Sequence, residues 1–154
     1  MGLKPEISGY LAERAASGLP QVWQAPLAQI RENTKLHIAL KQPLLQIHSV
    51  DHRSINGPTS NLPIRIYRPS EENNLPALVF FHGGGWVLNF LDIYEPALRK
   101  IAKNGNFVII AVDYQKAPEH SYPAPLDDCY ATLKWVIEKF SRTRNRSSRN
   151  WCWR

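Results

Sequence analysis

Hydrophobic residues in the first part of the chain change from a helical to an alternating spacing. The stretches 6–16 and 24–41 carry apolar residues three to four positions apart, which predicts two short amphipathic helices. From about residue 44 apolar and polar residues alternate, and the alternation continues in 61–68 after Asn56-Gly57-Pro58. Alternation on both sides of a turn sequence predicts a β-hairpin.

Two continuous apolar runs follow the predicted hairpin. They are ALVFF at 77–81 and FVIIAVDY at 107–114. Both runs are too short for helices, and both are typical of strands that are buried on their two faces. We therefore expect two fully buried strands.

Each of these runs is followed by a stretch with helical spacing. The first predicted helix covers 93–103, with Pro96 in its first turn and Asn104-Gly105 at its end. The second covers about 124–140. Its apolar side is predicted to consist of Leu126, Tyr130, Leu133, Val136 and Ile137.

The order strand, helix, strand, helix predicts a parallel sheet with crossover helices. The fold class is thus α/β, with three layers and a mostly parallel sheet. We expect 77–81 at the centre of this sheet, directly beside the strand at 61–68. The chain then divides into N-terminal helices at 1–43, the sheet and its crossovers at 44–140, and a tail at 141–154.

Composition narrows the classes of protein that this chain can represent. Its 154 residues, 44% of them hydrophobic, are enough for one domain with a sizeable core. The net charge is +6, but the five arginines of 141–154 supply +5 with no acid among them, which leaves +1 for the rest. A basic face for nucleic acid is therefore not expected on the domain.

Cysteine usage and the N-terminus bear on compartment and metal binding. Cys129 and Cys152 form no disulfide framework and have no metal-ligand spacing, so we expect no metal site and a reducing compartment. The N-terminal residues contain no apolar stretch long enough for a signal peptide or a membrane span. These observations predict a cytoplasmic protein.

The strongest chemical signal lies at the end of the 77–81 strand, where His82-Gly83-Gly84-Gly85-Trp86 begins. Ligands of α/β sheets bind at this end of a strand. Three glycines cost backbone entropy, but their bare backbone can approach a substrate closely and turn N–H groups toward a developing oxyanion. The alternatives are a tight turn or a phosphate loop, but neither GxGxxG nor GxxxxGK[ST] is present, and no cofactor is predicted.

Two sequence blocks together point to a family. HGGGW, followed from Asp113 by DYQKAPEHSYPAPLDDCYATLKWV, resembles the hormone-sensitive-lipase-like carboxylesterases and lipases of the α/β-hydrolase superfamily. The resemblance covers about residues 45–140. It implies hydrolysis of small carboxylic esters with short or medium acyl chains, without a cofactor.

The resemblance also implies roles for individual residues. Gly83, Gly84 and Gly85 would offer the oxyanion-hole amides, His82 would brace the loop, and Trp86 would line the acyl or alcohol pocket. The N-terminal helices would form part of a cap over the active site. The loop from Asp113 to His120 would be a scaffold behind the glycines.

A complete catalytic triad is not expected in these 154 residues. Asp113, His120 and Ser121 lie close together in sequence, but α/β-hydrolases carry serine, acid and histidine in that order after the second crossover helix. Gly-x-Ser-x-Gly, the nucleophile elbow, does not occur. The expected product retains the oxyanion loop without the triad; the alternative is a non-catalytic binding remnant or pseudogene product.

The tail at 141–154 loses the apolar periodicity and is rich in arginine. Tryptophan has the single codon TGG and cysteine has TGT or TGC, so Trp-Cys-Trp at 151–153 gives Gly, Val or Ala, then Gly when read one nucleotide ahead. Such a sequence fits a strand entering a nucleophile elbow, and a frameshifted tail is our first interpretation. The alternatives are a disordered basic tail and an RNA-binding tail with stacking aromatics.

Overall fold

The computed structural model describes residues 2–18, 24–39 and 43–144. The chain divides into two compact units, Met1–Asn33 and Thr34–Arg154. The elements in chain order are α1 (Pro5–Ala16), α2 (Leu27–Ala39), β1 (Ser49–Asn56), β2 (Asn61–Arg68), β3 (Ala77–Phe81), α3 (Leu91–Gly105), β4 (Val108–Val112) and α4 (Ala124–Arg144).

The two N-terminal helices are confirmed, except that α2 begins at Leu27 and not at residue 24. Pro5 occupies the start of α1, where its missing N–H costs no helical hydrogen bond. Glu6 lies in the first turn and Arg14 in the last, so both charges complement the helix dipole. No residue of α1 is buried. Residues 40 and 41 of the second predicted helix lie outside the described residues.

The hairpin of β1 and β2 is also confirmed. The strands pair antiparallel from Ser49 opposite Arg68 to Asn56 opposite Asn61. The Gly57 N–H donates to the Ser60 carbonyl at 2.9 Å and closes the turn. Ile64 and Ile66 are buried in a hydrophobic cluster on one face of β2, and Tyr67 is buried in the cluster on the other face.

The strand order corrects the predicted topology. The sheet has the order β1-β2-β4-β3, so the neighbour of β2 is β4 and not β3. β4 pairs antiparallel with β2 and parallel with β3. β3 therefore lies one strand position away from β2. After the α3 crossover, β4 occupies the position between β2 and β3.

This order explains why β3 is less buried than predicted. All five residues of β4 are buried, in agreement with the sequence. β3 pairs with β4 along one edge, and within the described part of the chain no strand pairs with its other edge. Leu78 and Phe81 are consequently 37% and 40% exposed, so the prediction of a strand buried on both faces was wrong for β3.

Helix α3 covers one face of the sheet. Its residues Leu91, Leu98 and Ala102 pack with residues of β2 and β4 in one hydrophobic cluster. Arg65 of β2 pairs with Asp92 at 2.7 Å and with Glu95, both on α3. These ion pairs fix the first turns of α3 relative to the sheet.

The bounds of α3 differ slightly from the prediction. The helix begins at Leu91, whose side chain is buried, so Pro96 lies in the second turn and not in the first. Gly105 is its last residue, and Asn106 adopts a left-handed conformation with φ of 49°. Asparagine tolerates this region better than most residues, which allows the chain to turn directly into β4.

Helix α4 covers the other face of the sheet with a different side from the predicted one. Of the predicted apolar residues, Val136 is buried, whereas Leu126, Tyr130, Leu133 and Ile137 are 38–60% exposed. The buried side consists of Pro125, Asp128, Cys129, Thr132 and Val136.

Two polar residues are accepted on this buried side because their hydrogen bonds are satisfied. The Asp128 carboxylate accepts from the backbone N–H of Gln115 at 2.9 Å and from its side-chain amide at 3.2 Å. The Thr132 hydroxyl donates to the Asp128 carbonyl at 2.9 Å. Buried polar groups without such partners would each cost free energy.

Helix α4 continues past the predicted end at residue 140 to Arg144. The three interpretations of the basic tail depend on residues 145–154, which lie outside the described residues. Of the helices in the described ranges, none combines the length and the hydropathy that a membrane crossing requires.

Candidate active site

The predicted site lies at one edge of the sheet because β3 and β4 are parallel. β3 ends at Phe81 and β4 at Val112, and these two residues are register partners. The loop that begins at His82 and the loop that begins at Asp113 therefore leave the sheet side by side. Carboxyl ends of adjacent parallel strands are the usual location of ligand sites in α/β proteins.

The glycine loop has an unusual concentration of left-handed backbone. Gly84 has φ of 137°, Gly85 of 61°, Trp86 of 64° and Asn89 of 73°. At Gly84 a Cβ atom would lie 2.3 Å from the backbone oxygen of Leu88. A residue without Cβ is therefore required at Gly84 by both conformation and space.

Both carbonyl groups at the centre of the loop are held by donors. The Gly84 oxygen accepts from the N–H groups of Val87 at 3.1 Å and Leu88 at 2.9 Å. The Gly83 oxygen accepts from the Asn89 side chain at 2.8 Å and the Tyr94 hydroxyl at 3.2 Å. Among the described residues, no acceptor is hydrogen-bonded to the N–H of Gly84 or Gly85.

These carbonyl contacts determine where the amides point. In a planar trans peptide the C=O and the N–H are directed to opposite sides. With the oxygens of Gly83 and Gly84 turned into the loop, the N–H groups of Gly84 and Gly85 are turned away from it. Two adjacent amides without an acceptor can donate to an anionic oxygen.

His82 lies beneath this loop with its side chain fully buried. Its ring stacks on Tyr114 with centroids 4.2 Å apart and planes 11° apart. The Tyr114 hydroxyl donates to the His82 carbonyl at 2.6 Å, and the His82 Nδ1 lies 3.0 Å from the Gly83 oxygen. Since a carbonyl only accepts, Nδ1 carries the proton in this contact.

Asp113 gives this region its negative charge. Its Oδ1 lies 3.7 Å from the His82 Nε2, which is too long for a hydrogen bond, and 2.6 Å from the Lys116 Nζ. Burial alone raises the pKa of Asp113, but its interactions with His82 and Lys116 outweigh burial and lower that pKa below the ordinary value of 3.8. Asp113 is therefore a carboxylate at neutral pH.

Trp86 lies on the surface beside the glycines. Its side chain is 48% exposed, and its ring packs at an angle against Tyr114 with centroids 5.2 Å apart. The Trp86 carbonyl accepts from the Ala117 N–H at 2.9 Å and joins the two loops. The indole thus offers an apolar surface next to the unpaired amides.

Comparisons with known proteins show which fold this chain has and which enzymes it resembles. Residues 78–149 match the model of a family described as the alpha/beta hydrolase fold. The Mycobacterium tuberculosis carboxylesterase NlhH is 45% identical over 80 residues, which make up 51% of this chain and 25% of NlhH. This chain has the α/β-hydrolase fold and is similar to carboxylesterases of that fold.

Other relatives show how much of the family's fold these residues span. The M. tuberculosis carboxylic ester hydrolase LipN is 42% identical over 97 residues, 62% of this chain and 26% of LipN. A solved esterase from Pyrobaculum calidifontis superposes on this chain with a TM-score of 0.82 and 31% identity, over 92% of this chain and 46% of the esterase. The α/β-hydrolase chain thus spans about a quarter of the length of NlhH and LipN and about half of the length of the solved esterase.

In this α/β-hydrolase chain His82, the three glycines and Trp86 lie in one loop, beside the loop that begins at Asp113. The chain does not form a triad from Asp113, His120 and Ser121, which lie close together in the sequence. His120 and Ser121 are exposed, and no hydrogen bond or ion pair in the described ranges joins either side chain to Asp113. Nor does any group of three or more potential metal ligands converge within those ranges.

Three residues at the site were not predicted from the sequence. Asn89 and Tyr94 contact the Gly83 carbonyl, and Lys116 contacts Asp113. Asparagine is one of the few residues that adopt positive φ readily, so Asn89 close to three glycines was a usable signal. Tyr94 and Lys116 carry no such signal, because their contacts depend on how α3 and the second loop are placed.

Proposed function

We propose that the loop at 82–86 is the oxyanion hole of a serine carboxylesterase that hydrolyses small esters with short or medium acyl chains. The observation that supports this most directly is the pair of unpaired amides at Gly84 and Gly85, whose carbonyl sides are held in the loop. The ester-hydrolase relatives support the same reaction class.

In this reaction a serine hydroxyl attacks the ester carbonyl carbon, and the carbonyl oxygen becomes negatively charged. The N–H groups of Gly84 and Gly85 then donate to that oxygen and lower the barrier. His82 holds the loop from below, and Trp86 contacts the acyl or alcohol portion of the ester. Gly83 helps to hold the loop in this position, because its carbonyl oxygen accepts hydrogen bonds from Asn89 and Tyr94.

The nucleophile and its partners are not among these 154 residues in our proposal. The sequence contains no Gly-x-Ser-x-Gly, and Ser121 lacks a histidine contact that would activate it. An oxyanion donor contributes about 3–4 kcal/mol only when a nucleophile is positioned against it. The purified chain should therefore neither hydrolyse p-nitrophenyl esters nor react with a fluorophosphonate probe.

A loop transplant tests the proposed function directly. The segment of the P. calidifontis esterase that superposes on residues 82–94 is replaced by those residues of this chain. We expect the chimera to hydrolyse p-nitrophenyl butyrate with kcat within about tenfold of the parent, a difference of roughly 1.4 kcal/mol.

The same chimera with Gly84→Ala is the matched control. Alanine keeps the backbone N–H, but its Cβ would lie 2.3 Å from the Leu88 oxygen and so displace that N–H from the oxyanion. The variant should therefore lose about 100- to 1,000-fold in kcat, the loss typical of a missing oxyanion donor. If the first chimera keeps the parent's melting temperature but loses its activity to this extent, residues 82–94 do not form an oxyanion hole.

A further inference from the structure

One peptide group in the glycine loop is held by more donors than its position requires. The Gly83 oxygen is contacted by the Asn89 Nδ2 at 2.8 Å, the His82 Nδ1 at 3.0 Å and the Tyr94 hydroxyl at 3.2 Å. A carbonyl oxygen has two lone pairs, so three donors exceed the usual number. All three are side chains.

Asn89 and Tyr94 are also bonded to each other. One hydrogen of the Asn89 amide is directed to the Gly83 oxygen and the other to the Tyr94 hydroxyl oxygen, 3.0 Å away. The Tyr94 hydroxyl uses its own proton toward the Gly83 oxygen. The three groups form a closed triangle in which every donor hydrogen has an acceptor.

The two side chains approach from different parts of the fold. Asn89 belongs to the loop itself and has φ of 73°. Tyr94 lies in the first turns of α3, and its ring packs against Phe80 of β3 with centroids 5.4 Å apart and against His82 at 6.0 Å. The Gly83 carbonyl is thus fastened to a helix that ion pairs hold against the sheet.

We propose that Asn89 and Tyr94 are positioning residues that fix the Gly83–Gly84 peptide and so aim the Gly84 N–H at the oxyanion. This proposal rests on the proposed function of the loop. Because the Gly84 N–H points opposite to the Gly83 oxygen, rotation of this peptide would turn the donor away from the substrate. Glycines on both sides offer little steric resistance to that rotation, so the side chains must supply it.

The glycine pairs of this chain allow the peptide to be observed alone. Of the eight glycines, only Gly83-Gly84 and Gly84-Gly85 are consecutive. In the full chain labelled with 1-13C,15N-glycine, an HNCO spectrum therefore contains only two cross peaks. The first reports the Gly83 carbonyl with the Gly84 N–H, and the second, from the next peptide, is an internal reference.

Two variants remove the side-chain contacts with little other change. Asn89→Gly removes the amide and keeps a residue suited to positive φ, and Tyr94→Phe removes the hydroxyl and keeps the ring. Each should move the Gly83 carbonyl resonance upfield, because the Gly83 oxygen loses one of its hydrogen-bond donors. The second cross peak should stay in place.

Tyr130→Phe is the matched control, since it removes a hydroxyl from an exposed tyrosine of α4. If Asn89→Gly and Tyr94→Phe leave the first cross peak where Tyr130→Phe leaves it, the side chains do not hold this peptide. That result would overturn the proposal whatever the loop's function.

The transplant chimera provides the catalytic readout. Asn89→Gly in the transplanted segment should lower kcat about fivefold with KM unchanged, because the lost alignment affects only the transition state. A changed cross peak in the native chain with an unchanged kcat in the chimera would overturn the positioning role. An inactive parent chimera would refute the oxyanion hole itself, while the spectrum would still decide whether the peptide is held.

Discussion

Substitution of Gly84 by alanine is the sharpest test of the loop geometry. Two separate penalties act at this position. An L-residue at φ of 137° costs about 1–3 kcal/mol. In addition, the new Cβ would lie 2.3 Å from the Leu88 oxygen and 2.8 Å from its carbonyl carbon, and displacing a packed backbone costs about 1–3 kcal/mol more.

The loop cannot avoid these penalties without giving up other contacts. Moving Leu88 away would break the bonds from Val87 and Leu88 to the Gly84 oxygen. Rotating the Gly83–Gly84 peptide would break those from Asn89 and Tyr94. Together the two penalties give a loss of about 4 kcal/mol in the free energy of unfolding.

Gly85→Ala is the comparison variant. Gly85 has φ of 61°, but a Cβ there would meet no atom within 4 Å. Only the conformational cost remains, about 1 kcal/mol for a left-handed alanine. The pair thus separates crowding from backbone conformation within two adjacent residues.

Urea titration followed by circular dichroism at 222 nm provides the measurement. With a slope of about 2 kcal/mol per molar urea, the midpoint should fall by about 2 M for Gly84→Ala and by about 0.5 M for Gly85→Ala. Equal midpoints for the two variants would refute the assigned contact between Gly84 and Leu88.

Two further predictions follow from titratable groups near the site. Burial first, and then the Asp128 charge, raise the pKa of Cys129 to about 11. In a Cys152→Ser background at pH 8, alkylation of Cys129 should therefore be about 100-fold slower in the folded protein than in urea. Equal rates would contradict the burial of Cys129. Because the pKa of Asp113 is lowered, its stabilising contribution is present above pH 3.8 and lost as the pH falls through the lowered pKa. The melting-temperature gap between wild type and Asp113→Asn should therefore close in acid, whereas a gap that is constant from pH 6 to pH 3 would contradict the ion pair with Lys116.

Local patterns in the sequence predict the elements of this fold well, because spacing and turn residues act over short distances. The hairpin follows from alternation around Asn56-Gly57, and the burial of β4 follows from five consecutive apolar residues. The parallel pairing of β3 and β4 follows from the crossover between them. This pairing is what places the two loops side by side.

Neighbour relations were harder to predict, because periodicity does not specify a partner. Nothing in the composition of β3 distinguishes β4 from β2 as its neighbour. Helix α4 has apolar residues on two sides. The side that is buried was not predicted because it contains Asp128, whose burial is possible only because Gln115, 13 residues upstream, donates a hydrogen bond to the carboxylate. Asn89 and Tyr94 were also not predicted, because both donate to the backbone oxygen of Gly83 and sequence spacing does not show such a contact.

The two edges of the sheet differ in a way that determines where it can be extended. The outer strand β1 carries His52, Arg53 and Ser54 in an exposed run, and charged edges of this kind discourage pairing with further strands. β3 instead ends the sheet with the apolar sequence ALVFF and leads directly into His82. A further strand would therefore pair with β3. If that strand ran parallel to β3, the residue after its last position would lie beside the glycine amides. Pairing of one further strand would then both extend the sheet and place a reactive group next to the amides.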